Sequence, residues 1–227
     1  EMSDLFQIPE YVQKMVDEKM LGDKTKRGFF KKTKDAQGKR EILVLDLNSM
    51  EYGPRSKPKF ASMEAAKSID DLSKRLQFLF QFDDRAGEFY RAQFASIFAY
   101  VSHRVPEISD EVYRLDDAMK AGFGYEIGPF EAWDAIGVKT GLAELDKQGL
   151  SVAPWVRAMV DSGVESFYRI HDGKRQFWNQ KTSKYEDIPG QENTVNLMVA
   201  KHQNVLWKNS GTTITDLGDG ILNVEFH

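Results

Sequence analysis

Apolar residues recur at helical spacing along most of this chain and at alternate spacing in three short stretches, near residues 28–47, 166–188 and 213–226. From Pro9, the positions Tyr11, Val12, Met15 and Val16 form one apolar face, so a helix is expected to run from there to about Gly22. The following "GFFKKTKDAQGKREILVLDLN" places aromatic and β-branched residues on both sides of Asp35–Gly38, which predicts a hairpin closed by a strand at Ile42–Leu47. After a Pro-, Gly- and Lys-rich linker at 53–60, "SMEAAKSIDDLSKRLQFLFQF" predicts one or two helices. Asp83 and Asp84 then cap a longer helix from Arg85 to Val105. Along it Ala86, Phe89, Tyr90, Gln93, Phe94, Ile97 and Val101 share one side, the expected core face. Pro106 stops that helix, and Ser109 is the expected N-cap of the next, whose buried stripe is Val112, Leu115 and Met119.

In "AMKAGFGYEIGPFEAWDAIGV", Gly122 and Gly124 are suited to the positive φ that ends a helix, and Pro129 to the first turn of another. Phe130, Trp133 and Ile136 then point inward and Gly137 closes the second helix. The expected form is helix, tight corner, helix. Two further signals concern organisation. "YVQKMVD" at 11–17 returns as "WVRAMVD" at 155–161, and "GFFKK…DAQGKR" at 28–40 returns, with a shorter loop before it, as "SFYRIHDGKR" at 166–175. Two matches in the same order predict a duplicated unit whose first copy is represented by its tail. The C-terminal side reads as a small meander over "FYRIHDGKRQFWNQKTSKYEDI" and a hairpin about Gly218-Asp219-Gly220, with Leu222, Val224 and Phe226 on one face.

Composition narrows the chemistry. The 227 residues are 41% hydrophobic and 29% charged, as in an ordinary folded chain, and no apolar run is long enough to cross a bilayer. Thirty-one basic and 35 acidic residues are interspersed, so no basic face offers itself to nucleic acid or to an anionic membrane. Cysteine is absent, which removes disulfides, thiolate metal sites and a cysteine nucleophile and fits a reducing compartment.

Gly122, Gly124 and Gly128 come close to the dinucleotide fingerprint, but their spacing is one residue too long and they follow a helix instead of a strand. His103, His171, His202 and His227 are scattered, with no helical pair and no carboxylate cluster to make a metal site. The pairs Asp70-Asp71, Asp83-Asp84 and Asp116-Asp117 read as caps or solvated faces. No catalytic residue and no metal ligand is assigned from the residues alone.

The stretch "RLDDAMKAGFGYEIGPFEAWDAIGV" resembles the C-terminal helical domain of the L-3-hydroxyacyl-CoA dehydrogenases. That family's helix carrying Asp, Ala and Met, its Gly-Phe-Gly turn, its Gly-Pro-Phe-Glu corner and its Asp-x-x-Gly ending are met by Asp117, Ala118, Met119, Gly122, Phe123, Gly124, Gly128, Pro129, Phe130, Glu131, Asp134 and Gly137. "LGDKTKRGFFKK" at 21–32 resembles the segment closing the same domain, and the final "DLGDGILNVEFH" is similar to the start of an enoyl-CoA hydratase domain. The resemblance implies a mainly α fold: a duplicated helical domain like the C-terminal domain of 6-phosphogluconate dehydrogenase, with small β-hairpins. The divisions it implies are 1–52, the tail of a first helical repeat with its hairpin; 53–60, a linker; 61–190, a second helical repeat with a β meander; 191–211, a linker; and 212–227, the start of a hydratase domain.

The resemblance further implies that the chain is a central piece of a fatty-acid β-oxidation enzyme that oxidises L-3-hydroxyacyl-CoA to 3-ketoacyl-CoA with NAD. In the family a Rossmann domain binds NAD and carries a catalytic His–Glu pair, while the helical domain closes over acyl-CoA and supplies the subunit interface. Neither a Rossmann domain nor that pair matches any part of this chain, so it is expected to be inactive alone. Its partners are then acyl-CoA, the Rossmann and hydratase domains of the same polypeptide and, through the family's interface, a second copy in a homodimer; the location implied is cytoplasmic. A lysine before threonine contacts NAD in the family, and the matching residue is Lys24. Many members have glycine after that threonine, whereas this chain has Lys26. The family's Asn-Arg at the start of the core helix is replaced within "DDRAGEFYRAQFASIF", so the second copy is expected to do no chemistry and to imitate a partner domain. The alternative is a stand-alone helical dimerisation or interaction module without catalysis.

Overall fold

The computed structural model describes residues 7–191, 195, 197, 199–200 and 204–226, and the chain divides into two units, Glu1–Lys59 and Phe60–His227. In the first, helix α1 (Glu10–Asp17) starts after Pro9 and ends where Lys19 turns left-handed at φ 57°, letting the Met20 N–H return to the Met15 carbonyl at 2.7 Å. Strands β1 (Phe30–Lys34), β2 (Arg40–Leu45) and β3 (Tyr52–Pro54) follow as an antiparallel sheet in that order. The β1–β2 turn is held by the Asp35 carboxylate, which accepts from the Gln37 and Lys39 N–H groups. The expected hairpin therefore gains a third strand. It also ends before Leu47, because the Asp46 carboxylate accepts from Asn48 and Ser49 N–H and bends the chain there. Met15, Met20 and Leu45 form the core, flanked by Tyr11, Met50 and Tyr52.

The second unit contains α2 (Ala61–Ala66), α3 (Leu72–Gln81), α4 (Arg85–Arg104), α5 (Val112–Phe123), α6 (Pro129–Ile136), α7 (Val138–Lys147) and α8 (Pro154–Asp161). A second antiparallel meander, β4 (Tyr168–His171), β5 (Lys174–Asn179) and β6 (Lys184–Asp187), follows, and then a third, β7 (Val205–Lys208), β8 (Thr212–Gly218) and β9 (Ile221–Phe226). Asp71 caps α3 through the Lys74 N–H, and Asp84 caps α4 through the Gly87 N–H while also binding Ser62. Around α4 lies an aromatic core in which Phe98 stacks on Trp133 at 4.5 Å, and Trp133 and Phe130 meet Phe167 at 5.2 and 4.9 Å.

Several expectations need correction. The described residues are 42% helix and 22% strand with three separate three-stranded sheets, so the architecture is mixed α and β and not mainly α. The left-handed turns at Gly38, Asp172-Gly173, Ser183 and Asp219-Gly220 join paired strands within the three sheets, and β7, in a stretch expected to be a linker, pairs with β8 across a turn in which the Asn209 side-chain oxygen accepts from the Gly211 and Thr212 N–H groups. On α4 Ala86 and Val101 are buried as expected, but the rest of the buried face is Gly87, Ala95, Phe98, Ala99 and Ser102, while Phe89 is 63% exposed. Small residues win the inward positions because they let the helix approach the Trp133 stack. α5 begins at Val112 after Glu111 instead of being capped by Ser109, and its most buried member after Val112 is Asp116. Of the glycines at the corner, only Gly124 takes positive φ; Gly122 lies inside α5.

The internal repeat has a structural counterpart. α8 matches α1 residue for residue, with Met159 and Met15 both buried, and Gly163, left-handed at φ 89°, standing where Lys19 does. The Val164 N–H returns to the Met159 carbonyl as Met20 does to Met15. Beyond the helices, the Leu45 N–H donates to the Phe29 carbonyl at 2.9 Å and the Trp178 N–H to the Phe167 carbonyl at 2.7 Å. The Tyr52 and Tyr185 hydroxyls donate at 2.6 Å to the carbonyls of Gly28 and Ser166. What is repeated, among the described residues, is one helix plus a three-stranded sheet.

Candidate functional site

The α5–α6 corner concentrates the ionisable side chains of the second unit. α5 ends at Gly124, whose φ of 68° no β-substituted residue adopts cheaply. α6 opens at Pro129, and its unpaired N–H groups need acceptors. Those of Phe130 and Glu131 donate to the two carboxylate oxygens of Asp116 at 2.9 and 3.0 Å, and the Gly128 N–H donates to Glu131 at 2.8 Å. Asp116, 1% exposed, thus caps a helix other than its own. Its approach requires glycine at 128, where a Cβ would lie 2.3 Å from the Asp116 Cβ.

Three more contacts tie this corner to the sheet. The Tyr168 hydroxyl donates to Asp116 at 2.7 Å; the Phe167 and Tyr168 N–H groups donate to Asp134 at 2.7 and 2.8 Å; and Glu131 receives Lys120 at 2.9 Å and Arg175 at 2.7 Å. Arg175 also lies over the Tyr168 ring, 4.2 Å from its centroid. Lys120, Glu131, Asp134, Tyr168 and Arg175, but not Asp116, border a cavity of about 690 Å³ whose apolar wall includes Leu72, Ile127, Ile170 and Val199.

Burial pushes Asp116 up to about 7 against the pull of the Phe130 N–H and the Tyr168 hydroxyl, and the charge of Glu131 adds to the rise. Asp134 is likewise raised to about 7 by burial, opposed by its two backbone donors. For Glu131 burial acts upward, but the Gly128 N–H, Lys120 and Arg175 outweigh it and leave the carboxyl below its usual value. Burial and the adjacent Asp116 hold the Tyr168 phenol well above its usual value. Every carboxylate oxygen in the cluster has a donor. The arrangement fixes one helix–helix–sheet joint and presents no activated nucleophile or free general base.

Lys24 stands elsewhere, in the first unit. A 3-10 turn, Asp23–Thr25, sits in a loop closed by the Gly22 N–H on the Arg27 carbonyl at 2.8 Å. Inside it the Thr25 hydroxyl accepts from the Leu21 N–H at 2.9 Å and donates to the Arg27 carbonyl at 3.1 Å. The threonine thereby shapes the loop from within, and Lys24 is left exposed at its tip. Lys26 holds the glycine-like conformation, at φ 62°. Compared with the second copy the loop is an insertion: the offset between copies is 144 at Asp17/Asp161 but 138 at Phe29/Phe167, so six residues, 22–27, have no counterpart.

Of the histidines, His103 is 3.4 Å from the Ser151 hydroxyl and His171 is beside Asp172; His202 and His227 lie outside the described residues. No group of three metal-ligating side chains occurs among the described residues. No described helix is long and apolar enough to cross a membrane. The residue that sequence reasoning missed is Asp116: its neighbour Asp117 fits the pattern equally well on paper but is exposed and pairs with Lys120. Burial of one aspartate on the inner side of α5, in register with Val112, was the signal available.

Residues 93–166 match the family model "3-hydroxyacyl-CoA dehydrogenase, C-terminal domain". Over 225 residues, 99% of its length, the chain is 34% identical to a "Probable 3-hydroxyacyl-CoA dehydrogenase" of Bacillus subtilis, and it spans 28% of that protein. It is also 26% identical, over 53% and 56% of its length, to proteins of Rickettsia felis and Rickettsia prowazekii, each named "Putative fatty acid oxidation complex trifunctional enzyme"; it spans 15% and 16% of those. No solved structure matches it.

Proposed function

We infer that this chain is a non-reacting part of a 3-hydroxyacyl-CoA dehydrogenase, and that the whole enzyme oxidises L-3-hydroxyacyl-CoA to 3-ketoacyl-CoA with NAD. The observation carrying this reading is the 34% identity to the Bacillus subtilis dehydrogenase, which extends along 99% of the chain and includes the Lys24 loop as well as the corner. NAD, when bound, accepts the hydride leaving C3 of the substrate. The residues here fit a single contact to it: Lys24, a mobile exposed cation on a loop shaped by Thr25, suits a phosphate or ribose oxygen of a dinucleotide. They do not form a dinucleotide cradle, since the glycine-rich corner is packed against the Asp116 side chain.

The second unit serves assembly. Its Asp116, Glu131 and Asp134 are all engaged in the joint, and the start of α4 is taken up by the Asp84 cap, which supports a structural role for this copy. Residues 1–227 alone are inactive. Calorimetric titration of the chain with NAD and with an acyl-CoA tests this: no micromolar binding is expected, and tight binding of either would contradict it. In the intact gene product, Lys24→Ala is expected to raise KM for NAD about tenfold, equivalent to ~1.4 kcal/mol, with kcat little changed and partial rescue by Lys24→Arg. An unchanged KM would remove Lys24 from the cofactor contact.

A further inference from the structure

Residues 22–27 form a loop that the helix-plus-sheet unit does not need. In the second copy the chain passes from Glu165 to Ser166, the counterparts of Leu21 and Gly28, and the helix and its sheet still form. The insertion is nonetheless tightly built. The Gly22 N–H on the Arg27 carbonyl pinches its ends together, and the Thr25 hydroxyl crosses it, accepting from the Leu21 N–H and donating to that same carbonyl. The one carboxylate within it, Asp23, is taken by Lys32 at 3.0 Å. Arg27 then fastens the loop to the helix: its guanidinium Nη2 donates at 2.6 Å to the Glu18 carbonyl, at the C-cap of α1. Carbonyls at a helix C-terminus lack partners inside the helix and carry its negative end, so a cation there makes a charge-assisted bond. In the second copy the place of Glu18 is held by Ser162, whose own hydroxyl turns back to the Met159 carbonyl at 2.6 Å. The Arg27 anchor therefore belongs to the loop and not to the repeated fold.

We propose that Arg27 is a positioning residue for the dehydrogenase: by locking the loop onto the end of α1, it presents Lys24 to the dinucleotide from a fixed place. The inference rests on Lys24 being the cofactor contact. A lysine on its long flexible stem loses side-chain freedom when it meets a phosphate or ribose oxygen, and a loose loop would add backbone freedom to that cost. Arg27 removes the second part in advance. Thr25 cannot, because its partners Leu21, Gly22 and Arg27 all lie in or beside the loop, so it supplies shape without anchorage. Arg27 does both, closing the loop with its carbonyl and holding it to α1 with its side chain. It meets no part of the reaction itself and acts through Lys24.

The test is a double-mutant cycle in the intact gene product, read as the dissociation constant of NADH by fluorescence titration, with the ligand-free melting temperature measured alongside. Arg27→Met, which keeps the length of the side chain and removes its donors, is expected to weaken NADH about fivefold. Arg27→Lys, which keeps a cationic donor, should recover part of that loss. On a Lys24→Ala background Arg27→Met should have no further effect, because a positioning residue has nothing left to position. The melting temperature and the KM for L-3-hydroxyacyl-CoA should stay at their wild-type values. Full NADH affinity in Arg27→Met, or an equal loss on the Lys24→Ala background, overturns the role of Arg27 and leaves Lys24 in place. So does a loss of affinity matched by a lowered melting temperature, which would make Arg27 a fold-stabilising residue only. Unchanged affinity in Lys24→Ala overturns the cofactor contact and the role of Arg27 together.

Discussion

Asp116 is the residue on which the α5–α6 corner turns. It accepts two N–H groups of α6 and the Tyr168 hydroxyl, all away from water. Asp116→Ala strands these donors and is expected to cost about 3 kcal/mol or more, read as a lowered urea midpoint. Gly128→Ala pushes a methyl into the same carboxylate and should cost roughly 1–3 kcal/mol. Lys26→Gly acts in the opposite direction: relief of left-handed strain at φ 62° should stabilise the first unit by roughly 0.5–1 kcal/mol, visible as a raised melting temperature. At this scale the sequence was partly readable. Gly124, Pro129 and Gly137 could be placed because their backbone geometry is encoded in the residue itself. Asp116 could not be told from Asp117, since only the packing of α6 decides which of two adjacent carboxylates is buried.

Among elements, the joint of α5, α6 and β4 should respond to pH through its two raised carboxyls. Asp116 and Asp134 titrate near 7 in the folded chain against a usual value of 3.8, so between about pH 4 and pH 7 the native state holds protons that the unfolded chain has released. Their contribution to stability is present at the low end of that window and is lost as pH rises through it. Glu131, lowered by its partners, contributes with the reverse sign below its usual 4.5. The stability advantage of the wild type over Asp134→Asn should therefore shrink from about pH 4 to pH 7 in urea titrations; an advantage that grows over that range would contradict the assignment. Helix positions were legible from caps and periodicity, as with Asp84 before α4. The buried face of α4 was legible only at Ala86 and Val101, because Phe89, Tyr90, Phe94 and Phe98 put aromatic residues around much of the helix, and the small Ala95, Ala99 and Ser102 permit close approach. Strand content was underestimated for a related reason. β3 and β6 are short, and their pairing depends on left-handed turns at Met50 and Ser183 that sequence marks weakly.

On the scale of the whole chain, the motif most diagnostic of its relatives is a structural joint, and the residue proposed to meet a cofactor lies in a six-residue insertion of the other copy. The central claim is that this chain belongs to a dehydrogenase whose reacting groups lie outside residues 1–227. Steady-state NADH formation from an L-3-hydroxyacyl-CoA, measured side by side for the intact gene product and for residues 1–227, tests it most directly. Turnover by the intact product and none by the shorter chain is the predicted result; turnover by residues 1–227 alone, or none by the intact product, would contradict it.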